Sequence, residues 1–196
     1  MNRLDRYLQK LRIEAALPWV PPGSHVLDVG CADGAVFRLG ESRIASGVGV
    51  DTREADAWSD GRFERRTGEF PGAVRRDERF DAVVMLAVVE HVPEKALTEW
   101  AGAVPELLRS GGRLIITAPD PLVDHILHAG MRLRLLDGME AHEHHGFDPR
   151  AIPSIFSAPT LVLDRRRRFE LGLNHLFVFS KRDPQAPSDD TRTADA

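Results

Sequence analysis

Apolar residues recur at helical spacing over residues 2–17, where Leu4, Leu8, Leu11 and Ala15 share one face. Pro18, Pro21, Pro22 and Gly23 then end the predicted helix. From there the pattern changes period. His25-Val26-Leu27-Asp28-Val29-Gly30 reads as a short buried strand closing on a glycine turn, with a helix following over about residues 34–42. Residues 46–51 form a second apolar strand ended by Asp51. Residues 52–61 leave room for a brief helix, and residues 63–66 for a third strand of weak pattern. The run Val83-Val84-Met85-Leu86 within residues 80–86 marks the fourth strand, and its unbroken apolarity suits a parallel strand covered on both faces. Pro93 and Glu94 open a helix to about Arg109, with Leu97, Trp100, Ala101, Val104 and Leu108 in its stripe. Ser110-Gly111-Gly112 stops it, and residues 113–118 are the fifth strand.

Residues 119–137 read as helical, residues 140–146 as a His-rich loop, and Asp148-Pro149 as a helix start with Asp as the cap. Two last strands follow, from residue 160 through 163 and beyond, and over residues 175–180. Gly172-Leu173-Asn174 lies between them, far too short for a parallel crossover, so they pair as an antiparallel hairpin. Strands alternating with helices predict an α/β fold: a doubly wound, seven-stranded, mostly parallel sheet with an antiparallel last strand. One domain spans residues 1–181, including the N-terminal helix, and residues 182–196 are polar enough to be a disordered tail.

Composition narrows the classes without choosing among them. The chain of 196 residues is 42% hydrophobic and 29% charged, ordinary for a globular domain. A net charge of −4 gives no bulk attraction to nucleic acid. The 23 arginines against 3 lysines fit a codon bias better than a phosphate-binding surface. No run reaches the roughly 20 apolar residues of a membrane span. One cysteine, Cys31, excludes an internal disulfide framework. Residues 1–17 carry charges throughout and lack an apolar signal-type core, so the expected setting is cytoplasmic.

The chemistry collects at the strand ends. Gly30 and Gly34 let the backbone turn tightly beside a ligand, and the following helix would point its N–H groups at it. Asp51, 21 residues past Gly30 and at the end of the second strand, is placed to accept both hydroxyl hydrogens of a ribose. The stretch lacks the three glycines of a dinucleotide fingerprint, and the acid Asp28 precedes its first glycine. An acid there repels a pyrophosphate but tolerates an ammonium and a sulfonium. The pattern therefore favours S-adenosylmethionine over a nicotinamide dinucleotide.

In these motifs the chain resembles class I S-adenosylmethionine-dependent methyltransferases, of the broad type 11 and 12 group. Val26-Leu27-Asp28-Val29-Gly30-Cys31-Ala32-Asp33-Gly34 resembles their first motif, with Ala32 where glycine is usual. Gly49-Val50-Asp51 resembles the second-strand acid, Phe80-Asp81-Ala82-Val83-Val84 with Val89-Glu90-His91-Val92 the fourth strand and its loop, and residues 107–114 the next helix-turn-strand motif. The likeness covers about residues 17–181. It implies that Asp28, Gly30, Cys31, Ala32 and Gly34 surround the methionine end of S-adenosylmethionine, and that Asp51, with Thr52 beside it, holds the ribose. It further implies that Gly68 and Glu69 lie near the adenine, and that Leu86 and Ala87 line the pocket by the methionine moiety. The 11 residues between Asp51 and Phe63 leave that edge open, and the N-terminal helix is a candidate cover.

The reaction expected is methyl transfer to an O, N or C atom of a small molecule, by a monomer or homodimer without nucleic-acid or membrane partners. A base is needed only if the acceptor must lose a proton. His91, after the fourth strand, and His145, in the loop anchored by Gly146-Phe147-Asp148-Pro149, are the candidates, with His142 and His144 beside the latter. His142-Glu143-His144-His145 lacks a helix-spaced His pair and is not assigned as a metal site. Trp58 is the candidate for stacking on a ring, Trp100 belongs to the core, and Arg165 to Arg168 suit a solvated strand edge. A non-catalytic S-adenosylmethionine-binding regulatory or scaffold protein is the alternative, and a nicotinamide oxidoreductase the third reading.

Overall fold

A computed structural model describes residues 3–53, 58–121 and 147–183. The strands are β1 Ser24–Val29, β2 Ile44–Asp51, β3 Phe63–Thr67, β4 Phe80–Leu86, β5 Leu108–Pro119, β6 Leu161–Phe169 and β7 Asn174–Lys181. They form one seven-stranded sheet in the order β3-β2-β1-β4-β5-β7-β6. β1 through β5 pair in parallel, and β7 runs antiparallel to both its neighbours. The strand order reverses between β1 and β4, so their carboxyl ends flank the crevice where open sheets take ligands.

Period-two alternation sorts the side chains into two cores. On one face Val26, Val84, Ile115, Leu176 and Val178 pack against Ile13 and Ala16 of α1 (Arg3–Ala16) and Val36 and Phe37 of α2 (Ala35–Leu39). On the other, Leu27, Val83, Met85, Ile116, Phe177 and Phe179 meet Leu97, Trp100 and Val104 of α3 (Glu94–Leu107) and Ile152 and Phe156 of α4 (Ile152–Phe156). Trp100 is a core residue, edge-on to Phe70 at 5.2 Å. Among the described residues no helix is long and apolar enough to cross a membrane.

Several local expectations need correction. α2 is five residues rather than a helix over 34–42, because Gly40 ends it with its N–H on Val36 O at 2.9 Å. α3 stops at Leu107, and β5 begins at once. Ser110-Gly111-Gly112 is then an irregularity inside β5, between the pairs Phe80↔Leu108 and Ala82↔Arg113, with Gly111 at φ 74°. Of the brief helix expected within 52–61, residues 54–57 lie outside the described residues, and residues 58–63 form a turn. Asp60 Oδ1 accepts the N–H groups of Arg62 and Phe63 at 2.9 and 2.8 Å, and Arg65 N–H returns to Trp58 O at 2.8 Å, making a side-chain-capped turn. Residues 54–57 lie outside the described residues, as do 122–146, which hold most of the helix expected over 119–137 and the His-rich loop, and 184–196 of the expected tail. Pro119 itself ends β5. Asp148 caps as expected, its Oδ1 accepting Arg150 N–H at 2.8 Å. β6 extends to Phe169 and carries Arg165 to Arg168 exposed along the sheet edge, where Arg165 lies over Trp19 and Arg166 over Phe177.

Pro105 interrupts the α3 hydrogen-bond ladder near its end. Lys181, the last residue of β7, meets the carbonyls left there: its Nζ donates to Pro105 O at 2.6 Å and to Leu108 O at 2.8 Å. Hydrogen bonds from a charged donor contribute roughly 1.5–3 kcal/mol. We expect Lys181→Met to lower the urea-unfolding free energy by an amount in that range, with the m-value unchanged. An unaltered midpoint would show that water serves those carbonyls equally well.

Candidate active site

The tip of β1 is shaped by three left-handed residues: Gly30 at φ 77°, Ala32 at φ 42° and Gly34 at φ 70°. A β-carbon at Gly30 would run into Cγ2 of Val88, so sterics as well as φ demand glycine. The N–H groups of Gly30 and Cys31 both donate to Val50 O, at 2.8 and 3.2 Å, pinning the turn to β2. Asp51 completes the junction. Its Oδ2 accepts Ala32 N–H at 2.8 Å and its Oδ1 accepts Arg53 N–H at 2.8 Å. Arg65, buried on β3, closes the far side by donating from Nε to Ala32 O at 3.2 Å and from Nη2 to Arg53 O at 3.1 Å. Gly68 N–H donates to Asp51 O at 2.9 Å, which brings Gly68 and the exposed Glu69 to the same edge; Thr52 is exposed beside them.

Asp28 sits inside this junction, 2% exposed, and its Oδ2 has no hydrogen-bond partner among the described residues. Burial, with the nearby charges of Asp51 and Asp33, pushes its carboxyl up to about 8. Burial likewise pushes the Cys31 thiol up to about 12, helped by Asp28 and Asp51, so Cys31 is a neutral packing group and no nucleophile. Asp28, Gly30, Cys31 and Leu86 line a narrow cleft roofed by Gln9, Arg12 and Ile13 of α1. Gln9 Nε2 donates to Asp33 Oδ1 at 3.1 Å, tying the roof to the β1 turn. The N-terminal helix thus covers the crevice between β1 and β4, whereas the short 52–62 segment had suggested the Asp51 edge. A larger open hollow of about 320 Å³ lies at the opposite end of the strands, against Pro21–Ser24 and Ser110–Gly112, away from every predicted site residue.

Leu86 ends β4, and Ala87 follows it at φ 55° with its N–H on Thr117 O at 2.9 Å. His91 follows at the same edge, its side chain 42% exposed and Nε2 4.0 Å from Glu90 Oε1. His145, with His142 and His144, lies outside the described residues. No group of three metal-ligating side chains occurs among the described residues. The half-buried Trp58 packs over the glycine turn, with ring atom Cζ2 3.0 Å from where a Gly34 β-carbon would stand.

The structure therefore gathers Asp28, Gly30, Cys31 and Leu86 in one cleft and joins Ala32, Asp51 and Gly68 by hydrogen bonds. Glu69 and Thr52 stand at the rim. Sequence reasoning missed Gln9 and Arg12, because a polar residue on an amphipathic helix reads the same whether it faces water or a cleft. It also missed Arg65, although Phe63 and Arg65 share one period-two face of β3. His175 was missed too. Buried at the start of β7, its Nε2 lies 2.9 Å from Asp120 Oδ2, which also receives Arg168 Nη2 at 3.1 Å.

A family model described as a methyltransferase domain matches residues 1–162. Among similar solved structures is the N-methyltransferase NodS of Bradyrhizobium japonicum WM9, with 15% identity, coverage of 93% of this chain and 98% of that one, and a TM-score of 0.63. Another is the magnesium protoporphyrin IX methyltransferase ChlM of Synechocystis PCC 6803, solved with bound SAH, at 16% identity, 92% and 88% coverage and a TM-score of 0.64. A SAM-dependent methyltransferase from Archaeoglobus fulgidus has 17% identity, 90% and 94% coverage and a TM-score of 0.63. A search of curated proteins finds no match. The chain belongs to the methyltransferase domain family, and its sheet is that of the class I enzymes.

The geometry at Gly30 yields a direct test. Gly30→Ala forces a left-handed alanine against Val88 and should destabilise the protein by about 1–3 kcal/mol. Adding Val88→Ala should recover part of that loss, read by thermal unfolding. If the double variant is no more stable than the single one, the contact with Val88 does not constrain the turn.

Proposed function

We propose that the chain transfers a methyl group from S-adenosylmethionine to a small-molecule acceptor. The observation that carries this reading is Asp28: a buried carboxyl with one unpartnered oxygen, at the tip of β1 and beside a glycine turn. Such an oxygen suits an ammonium. Arg12 and Gln9 face it across the cleft and suit a carboxylate, so the two walls match the amino-acid end of the cofactor. Gly30, Cys31, Ala32 and Gly34 would wrap that end. Asp51 and Thr52 would meet the ribose, Gly68 and Glu69 the adenine edge, and Leu86 and Ala87 the sulfur side.

The cofactor, when bound, supplies a methyl group on a positively charged sulfur, an electrophile that needs little further activation. The protein's own work is alignment. The glycine turn and the α1 roof hold the donor still and keep water from it, and the end of β4 faces the acceptor. Where the acceptor must lose a proton, His91 and His145 are the groups assigned to take it.

Two measurements test the reading. Asp51→Ala should weaken S-adenosylhomocysteine binding by at least about tenfold in calorimetry, because charge-assisted hydrogen bonds are lost. Retained affinity would place the ligand elsewhere. The second uses Asp28, whose free carboxyl at about 8 is mostly protonated near pH 7. An ammonium beside it favours the ionised form, so binding should release a proton and tighten as pH rises toward 8. Titrations in phosphate and in Tris, which differ in ionisation heat, should then give different apparent enthalpies, and Asp28→Asn should abolish the difference. Equal heats for the unaltered protein would remove Asp28 from the ammonium site.

A further inference from the structure

Four strands present one more residue each to the α1 face at the carboxyl edge. Asp28 shares its face with Val26, Leu86 with Val84, Thr117 with Ile115, and Asn174 with Leu176 and Val178, and all these apolar partners pack in the α1 core. Leu86 is in register with Thr117, and Thr117 with Leu176. The row runs from the cofactor cleft across β4 and β5 to the start of β7. Its far half is polar and unsatisfied. Thr117 is 0% exposed and Asn174 4%, yet Thr117 Oγ1 and Asn174 Oδ1 have no hydrogen-bond partner among the described residues. The same holds for the buried atoms Glu170 Oε1 and Arg12 Nε. Each such group costs ~1–3 kcal/mol when left unmade, and these four come from elements that meet at one edge: α1, β5, β7 and the turn before it.

We propose that Thr117, Glu170 and Asn174, under the roof residue Arg12, form the seat of the methyl acceptor, and that the acceptor presents an amine to it. The proposal rests on the methyltransferase reading above. Its chemistry follows from the donor and acceptor count. Asn174 Nδ2 already donates to Glu170 Oε2, which fixes the amide orientation and leaves Oδ1 as the unpartnered atom. Asn174 Oδ1 and the carboxylate oxygen Glu170 Oε1 can only accept. The Thr117 hydroxyl can accept or donate, and only Arg12 is restricted to donating. A ligand that fills the set must bring N–H groups, preferably with positive charge. Burial raises the Glu170 carboxyl above its ordinary value even though the charge of Arg12 and the bond from Asn174 lower it, so the carboxylate is under-compensated as it stands. The backbone agrees. Glu170 and Leu171 hold φ 51° and 57°, costly for non-glycine residues, and this turn keeps Glu170 half-buried while Leu171 is fully exposed.

The test uses the full chain and a matched panel of probes: benzylamine and phenethylamine against benzoate and phenylacetate, titrated calorimetrically with and without S-adenosylhomocysteine. The amines should bind at least tenfold more tightly than the carboxylates. Glu170→Gln and Asn174→Leu should each weaken amine binding by at least tenfold while leaving S-adenosylhomocysteine affinity within twofold. The proposal is overturned if no amine binds, if carboxylates bind as well as amines, or if both variants bind amines normally. Absent S-adenosylhomocysteine binding would instead sink the cofactor reading, and the titrations without it would still decide the amine site.

Discussion

Both oxygens of the Asp51 carboxylate are spoken for by backbone N–H groups, one from Ala32 and one from Arg53. The shape of the turn at the tip of β1 depends on that pair of bonds. The loop after β1 contains three residues in the left-handed region, one of them an alanine, and would relax without an external hold. Ionised acceptors make the stronger hydrogen bonds, so a carboxylate is a better clamp here than an amide or hydroxyl. Arg65 repeats the bridge in opposite polarity, taking the carbonyls of the same two residues. Two loops distant in sequence are thereby fixed to one another from both sides, and Asp28 keeps an oxygen that no described residue answers.

The reversal of β7 matters for the same edge. A parallel last strand would bring its final residues to the carboxyl ends of β4 and β5. The antiparallel strand brings its first residues instead, together with the turn before them. Glu170, Asn174 and His175 reach the ligand edge for this reason alone. His175 points to the face of Phe177, where Asp120 holds it, and Asn174 to the face of α1. One short turn thus furnishes polar groups to both sides of the sheet.

Much of this architecture was legible in the residue pattern. The unbroken Val83 to Leu86 run marks a strand covered on both faces, and the short connection between the last two strands leaves no room for a crossover. Asp51 is visible because it closes an apolar strand 21 residues past Gly30, with the glycine turn and Asp28 before it; alone it would read as one more turn-capping acid. Element ends were less legible. Ser110-Gly111-Gly112 looks like a helix stop but bulges within a strand, since glycine permits either. The turn before β3 was not legible either, because Asp60 captures the N–H groups of Arg62 and Phe63. The roof and the unpartnered polar atoms were illegible for a different cause. Arg12, Thr117 and Asn174 acquire meaning only when α1, β5 and β7 come together, and no local spacing records that meeting.

Cys31 is the one thiol of the chain, and it is 4% exposed at the floor of the cleft, where a β-carbon on Gly49 would stand 2.7 Å from its sulfur. Protonated and sealed, it offers alkylating reagents nothing while the floor is shut. Its labelling rate therefore counts the moments when that floor opens, and the native chain carries its own clock for them.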